Sequence, residues 1–193
     1  MEFRETRLSG VYRVQLDPNV DHRGTFTRTF CRETLENQGL KGHVEQCNVV
    51  MNEVRGTLRG IHYQVRPAGE VKMVQCVNGA LFEVLVDLRS ESETCGEWIS
   101  MELRGTSAEV VYIPKGIGHA YQTLEPNSIV TYFMSEAFRP GTERGIRWND
   151  PHFSIPWPLA EPTLSEKDRS YPDFDLESHR RDDRNADSSG RVT

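Results

Sequence analysis

The feature that most limits the fold of this chain is a dense series of short strand-like runs with almost no helical pattern between them. The runs are VYRVQLD (11–17), GTFTRTFC (24–31), VEQCNVVM (44–51), TLRGIHYQ (57–64), VKMVQCV (71–77), ALFEVLVDL (80–88), EWISMEL (97–103), EVVYIP (109–114), HAYQTL (119–124) and SIVTYFMS (128–135). Most alternate with period two or are rich in Val, Ile, Tyr and Phe, with turn signals between them. Only RETLENQG (32–39) reads as a helix. The pattern predicts an all-β sandwich or small barrel.

From Arg139 the pattern changes. The proline-rich stretch that follows carries Trp148 and Trp157 and reads as an ordered, irregular arm laid over the strands, because the two indoles need burial. ESHRRDDRNADSSGRVT (177–193) lacks apolar periodicity and is expected to be a disordered polar tail. The chain of 193 residues is therefore expected to hold one domain, over 1–176.

Composition excludes several classes. No apolar run is long enough to span a bilayer, and the charged N-terminus lacks an apolar signal core, so a cytoplasmic protein without a membrane partner is expected. The net charge is -6 and no basic stripe combines with aromatics, which argues against nucleic acid. Cys31, Cys47, Cys76 and Cys95 are irregularly spaced and form no C-x-x-C pair, so packed, reduced thiols are expected rather than a zinc site.

Two motifs carry chemistry. LRGIHYQ (58–64) leads through Glu70 to Lys72, and VYIPKGIGHAYQTL holds Pro114, Gly116 and His119 in a P-x-G-x-x-H pattern. Together they resemble the paired motifs of the cupin superfamily, whose jelly-roll barrels often bind a metal through a His-x-His. Here the second histidine is replaced by Gln64, a weak ligand for a transition metal. The alternative is acid–base work by His62 without a metal. Residues 60, 62 and 64 are expected on one strand face, and Lys72 on a neighbouring inner strand. A lysine in VKMVQCV needs an anion or a polarised oxygen. Tyr132 alternates with Val130 and Met134 and could present a hydroxyl to a cavity as a proton donor, although most strand tyrosines only pack.

LRGIHYQ, VDLRSES, YIPKGIGHAY, ERGIRWNDP and LSEKD, in this order and after DHRGTFTRTF, resemble the dTDP-4-dehydrorhamnose 3,5-epimerase family over about residues 1–176. The resemblance implies a cupin jelly roll without cofactor or metal. It implies that His62 is the base, oriented by Asp168, with Tyr132 as the acid and Lys72 near the ketone oxygen. Arg59 and Arg23 are the candidates for the diphosphate of a dTDP-linked sugar, because a guanidinium matches phosphate oxygens, although Arg23 could equally be a surface arginine in the turn after Asp21; the resemblance implies that Arg23 reaches the site from the partner in a homodimer. Gln46, Asn48, His119, Glu143 and Lys167 fall on substrate-contact positions, and Phe138 stands where the family usually has a tyrosine stacking on the base. From the residues alone, Glu143 could equally pair with Arg144 or Arg147, and His119 with Glu83.

The chain departs from the family at Arg28, where a Glu is common, and over Cys47-Asn48-Val49-Val50, where Asp-Asn-His-Ser is usual. These changes leave open the base, the sugar, and whether C3, C5 or both invert. A single-centre epimerase, a ketoisomerase, a metal-dependent cupin enzyme and a non-catalytic sugar-binding cupin stand as alternatives.

Overall fold

The structure, a computed structural model, describes residues 1–65 and 69–181. Its strands are β1 (Glu2–Glu5), β2 (Tyr12–Gln15), β3 (Asn19–Asp21), β4 (Gly24–Phe26), β5 (Gln46–Asn52), β6 (Leu58–Gln64) and β7 (Lys72–Asn78). They continue with β8 (Ala80–Asp87), β9 (Trp98–Arg104), β10 (Glu109–Ile113), β11 (Ile117–Thr123), β12 (Ser128–Met134) and β13 (Glu143–Gly145). The helices are α1 (Arg32–Asn37), α2 (Glu166–Ser170) and α3 (176–181). No helix among the described residues is long and apolar enough to cross a membrane.

The strands sort into two antiparallel sheets. One is ordered β1-β2-β10-β7-β12-β5 and the other β13-β6-β11-β8-β9, while β3 and β4 form a separate hairpin. From β5 to β8 the chain changes sheet at every strand, and from β9 to β12 it does so again. That interleaving produces the order of a jelly roll; the strand-dense sequence predicts a sandwich or small barrel, and the resemblance to cupins implies the jelly roll. The interleaving also corrects one expectation. β6 and β7 are not neighbours in a sheet, because the connection between them crosses from one sheet to the other. His62 and Lys72 therefore approach the interior from opposite walls.

Period-two alternation explains the core. Val74 and Cys76 of β7, Leu81 and Leu85 of β8, Val111 of β10 and Val130 of β12 point inward and pack together between the sheets. Burial pushes the Cys76 thiol up to about 11, so it packs as an apolar group. The outer face of the first sheet is covered around Leu35 of α1 with Val14, Met73 and Tyr112. The arm covers the outer face of the second, where Ile146, Phe153, Ile155 and Trp157 pack on Ile61, Val84 and Val86. Trp157 donates from Nε1 to the Trp148 carbonyl oxygen at 2.7 Å.

α3 departs from the expectation of an unstructured tail from residue 177. Over 177–181 the chain is helical, and His179 Nε2 lies 2.6 Å from the Leu88 carbonyl oxygen. Its ring packs on Phe174 and Tyr63, which supplies the apolar contact that the sequence of the tail does not announce. The rest of the expected tail, 182–193, lies outside the described residues.

Candidate active site

Side chains from both sheets and from α2 line a cavity of about 350 Å³. On the β6 wall, pairing runs from His119 opposite His62 to Tyr121 opposite Arg59, so β6 carries one more residue than β11 across this interval. Gly60 makes the bulge possible. Its φ is +116°, and a Cβ there would lie 2.5 Å from the His119 carbonyl oxygen and 2.6 Å from Ala120 Cβ. The alternation expected over 60, 62 and 64 is therefore broken at its first member. Arg59 and His62 both line the cavity, while Ile61 turns outward under the arm.

The partner of His62 arrives from the far end of the chain. Leu58 N donates to the Thr163 carbonyl oxygen and Thr163 N to that of Gly56, both at 2.9 Å, which pins the arm along the start of β6. Ser165 then caps α2, its hydroxyl accepting from Asp168 N at 3.0 Å. A helix of this length does not persist alone, so the cap and this anchorage define it. They aim Asp168 at His62, with Nε2 and Oδ1 2.5 Å apart. The Asp168 side chain is 5% exposed, against 39% for His62. Burial pushes the Asp168 carboxyl up, but bonds from His62 and Ser165, the His62 charge and the Gly60 backbone outweigh it and hold the group below its ordinary range. Tyr171 meets the His62 ring edge-on at 6.1 Å.

The opposite wall carries Lys72 from β7, Tyr132 and Met134 from β12, and Asn48 and Val50 from β5. Lys72 Nζ lies 3.0 Å from Glu70 Oε1. Burial above all pushes the Tyr132 phenol well above its ordinary value; Tyr121 and the buried Glu83 carboxylate add to this, and Arg59 opposes it. Tyr121 donates to Asn52 Oδ1 at 3.2 Å, and Arg59 Nε donates to the same oxygen at 2.9 Å. His119 packs against both tyrosine rings. Its Nε2 lies 2.5 Å from Glu83 Oε1, but the approach is out of line for a hydrogen bond.

The structure thus brings His62, Asp168, Tyr132, Lys72, Asn48, Arg59, His119, Phe138, Glu143 and Lys167 to one cavity. Glu143 pairs with Lys167, not with the arginines beside it in sequence. Gln46 does not line the cavity; its Oε1 accepts from Phe138 N at 2.9 Å and so supports the rim. Arg23 is absent from this cavity too. It sits on the β3–β4 hairpin, 78% exposed and paired with Asp21.

Tyr121 and Tyr171 were missed by sequence reasoning. Tyr121 is two positions from His119 on one strand, and Tyr171 three positions past Asp168, so strand and helix spacing could have found both. As for a metal, Gln64 accepts from Thr142 and Glu70 is paired with Lys72. Among the described residues no group of three or more His, Cys, Asp or Glu side chains could hold an ion.

The sequence profile of the dTDP-4-dehydrorhamnose 3,5-epimerase family matches residues 5–175. The chain belongs to this family of isomerases. It is 37% identical over 175 residues to a dTDP-4-dehydrorhamnose 3,5-epimerase of Methanothermobacter thermautotrophicus, covering 88% of this chain and 94% of that protein. A dTDP-4-dehydrorhamnose 3-epimerase of Streptomyces niveus is 35% identical, over 88% of this chain and 82% of its own. The crystal structure of the 3,5-epimerase of Bacillus anthracis with TDP and PPi bound superposes with a TM-score of 0.87 at 34% identity, covering 90% of this chain and 99% of that one. Within this family frame, Val50 lines the cavity wall, while Val49 is 62% exposed and Arg28 lies outside the cavity, close to the Cys31 thiol.

Proposed function

We propose that the chain is a nucleotide-sugar epimerase that converts dTDP-4-dehydro-6-deoxyglucose to dTDP-4-dehydrorhamnose, in deoxysugar biosynthesis, by acid–base proton transfer at the carbons flanking a ketone. The observation that carries this reading is the His62–Asp168 pair on one wall of the cavity, with Tyr132 and Lys72 on the other.

The C4 ketone acidifies the protons on C3 and C5. His62 takes one of them, and the C–H electron pair moves into an enolate. Asp168 fixes the imidazole orientation and stabilises the imidazolium that forms. The Lys72 ammonium offsets charge on the enolate oxygen. Tyr132 then gives its O–H proton to the same carbon from the other face, and the centre inverts. Arg59 suits the diphosphate, since a guanidinium matches phosphate oxygens with its planar fork. Phe138, 53% exposed at the rim, offers a face on which a thymine ring can stack.

Arg23 joins this scheme through a homodimer. Its hairpin exposes Val20 and Phe26, and the edge strand β5 exposes Val49 and Met51, a set of apolar side chains suited to a second copy. The cytoplasm is the expected setting, where the free Cys31, Cys47, Cys76 and Cys95 stay reduced. Inversion at a single centre is the second reading. It is supported by the similar identity of the chain to a 3-epimerase and by Val50 in the cavity wall.

The test is incubation of chelator-treated protein with dTDP-4-keto-6-deoxyglucose in D2O, with His62→Ala alongside. Deuterium is expected to enter at C3, C5 or both with the parent protein and at neither with the variant. Entry at one carbon alone selects the single-centre reading. Absence of exchange with dTDP and other nucleotide sugars would overturn the proposal.

A further inference from the structure

Gly145 of β13 stands opposite His62 of β6, and residues paired in this way send their side chains to the same face of a sheet. Gly145 has no side chain to send, and the Tyr171 ring takes the space: a Cβ there would collide with Cε2 and Cζ of that ring. The ring therefore lies on the cavity side of β6, beside the imidazole, with the centroids 6.1 Å apart and the planes at 70°. Pro172 follows and keeps Tyr171 out of α2, in an extended conformation at φ −60° and ψ 141°. The Ser165 cap and the Asp168–His62 bond fix the helix from which Tyr171 emerges. On the other side of His62, His119 of β11 is its pairing partner. The imidazole thus sits in a row between two rings, and all three line the cavity.

We propose that Tyr171 is a specificity-determining residue, whose ring bears on the sugar and fixes which of the two carbons flanking the ketone meets His62 first. The inference rests on the epimerase reading of this cavity. In a 4-keto-6-deoxyglucose ring the C3 and C5 hydrogens are axial on the same face, so one base can address either. The two carbons lie on opposite sides of C4, and exchanging one for the other above His62 requires the sugar to shift along the wall. Tyr171 and His119 bound that shift on either side. The carbons also differ in what they carry, a hydroxyl at C3 and a methyl group at C5. An aromatic ring accepts the methyl group readily, whereas a hydroxyl pressed against it loses hydrogen bonds to water. The sugar therefore settles in one sideways position, and His62 takes one proton readily and the other only after a shift against Tyr171.

The test uses the full chain with dTDP-4-keto-6-deoxyglucose in D2O and compares the initial rates of deuterium entry at C3 and C5 by NMR. Their ratio is internal to each sample, so a smaller folded fraction or a change in KM does not move it. The parent is expected to favour one carbon, and Tyr171→Ala to lower that preference about 10- to 100-fold, the range of discrimination that pocket shape supplies. Tyr171→Phe keeps the ring and should keep the parent ratio. Gly145→Ala displaces the ring while leaving Tyr171 in the chain; it should shift the ratio in the same direction, and it serves if Tyr171→Ala fails to fold. Equal rates in the parent, an unchanged ratio in Tyr171→Ala or Gly145→Ala, or a ratio in Tyr171→Phe as low as that of Tyr171→Ala would each overturn the inference and leave the epimerase reading standing. Deuterium at neither carbon in the parent, with dTDP and other nucleotide sugars, would overturn that reading and the inference with it.

Discussion

Lys72 Nζ lies 3.0 Å from Glu70 Oε1, and the two side chains are 14% and 4% exposed. The cation proposed to face the enolate oxygen thus comes with its own buried counter-ion. Among the described residues Glu70 Oε2 has no hydrogen-bond partner, so removing Lys72 leaves a carboxylate with little to hold it. Lys72→Met is expected to lose about 3–5 kcal/mol of stability in denaturant melts, the usual effect of breaking one half of a buried pair. Adding Glu70→Gln should restore much of that stability. The double variant should still turn over at least about 100-fold more slowly than the parent, because the enolate partner is still missing.

Asp168 makes a pH-dependent contribution. Its folded pKa is below the unfolded one, so its stabilisation is present above the unfolded carboxylate value and is lost as pH falls through the folded one. Asp168→Asn is expected to lower stability by about 1–3 kcal/mol near neutral pH. The gap between parent and variant should narrow in acid, and urea melts across pH would show it. A gap that widened in acid would contradict the assigned shift. The variant should also turn over about 100-fold or more slowly, because the imidazole loses its orienting carboxylate.

Two glycines near the site are expected to fail in different ways. At Gly60 an added methyl meets the His119 backbone and Ala120, and the positive φ adds strain, so Gly60→Ala should give little folded protein. At Gly145 the methyl collides with the Tyr171 ring, the end of a side chain that can swing away. Gly145→Ala should fold with a melting temperature close to the parent. Its KM should rise, because Tyr171 leaves its place beside His62. Measuring both melting curves and KM separates the two outcomes.

The exposed hairpin position of Arg23 gives a prediction about subunits. Arg23→Ala and His62→Ala are each expected to be weak enzymes. Mixed and allowed to exchange subunits, they should regain activity, because one of the two sites in a mixed dimer then has both His62 and Arg23. A mixture no better than its components would mean that Arg23 does not act across a dimer.

The strand-rich part of the fold was legible because side chains repeat every two residues wherever one face is buried. β1, β3 and β13 were not, since EFRE, NVD and ERG are short or polar and owe their form to the strands they pair with. The Gly60 bulge was hidden as well; period-two reasoning carries no information on an inserted residue until the partner strand is seen. His62 and Asp168 lie 106 positions apart, and only resemblance to a family linked them before the arm was placed. The pairing of Glu143 with Lys167 was likewise beyond local reading, which offered Arg144 and Arg147 as nearer partners.

The arm's anchorage at Gly56, Leu58 and Thr163 has a consequence for how this protein wears out. The jelly roll keeps its own core between the sheets, but the carboxylate beside His62 is hung on a short segment outside that core. Local opening of such segments needs less free energy than global unfolding. On a heat ramp the catalytic half-life should therefore collapse at a temperature where circular dichroism still reports intact sheet, and a protease cutting between 159 and 165 should silence the enzyme while leaving a folded shell.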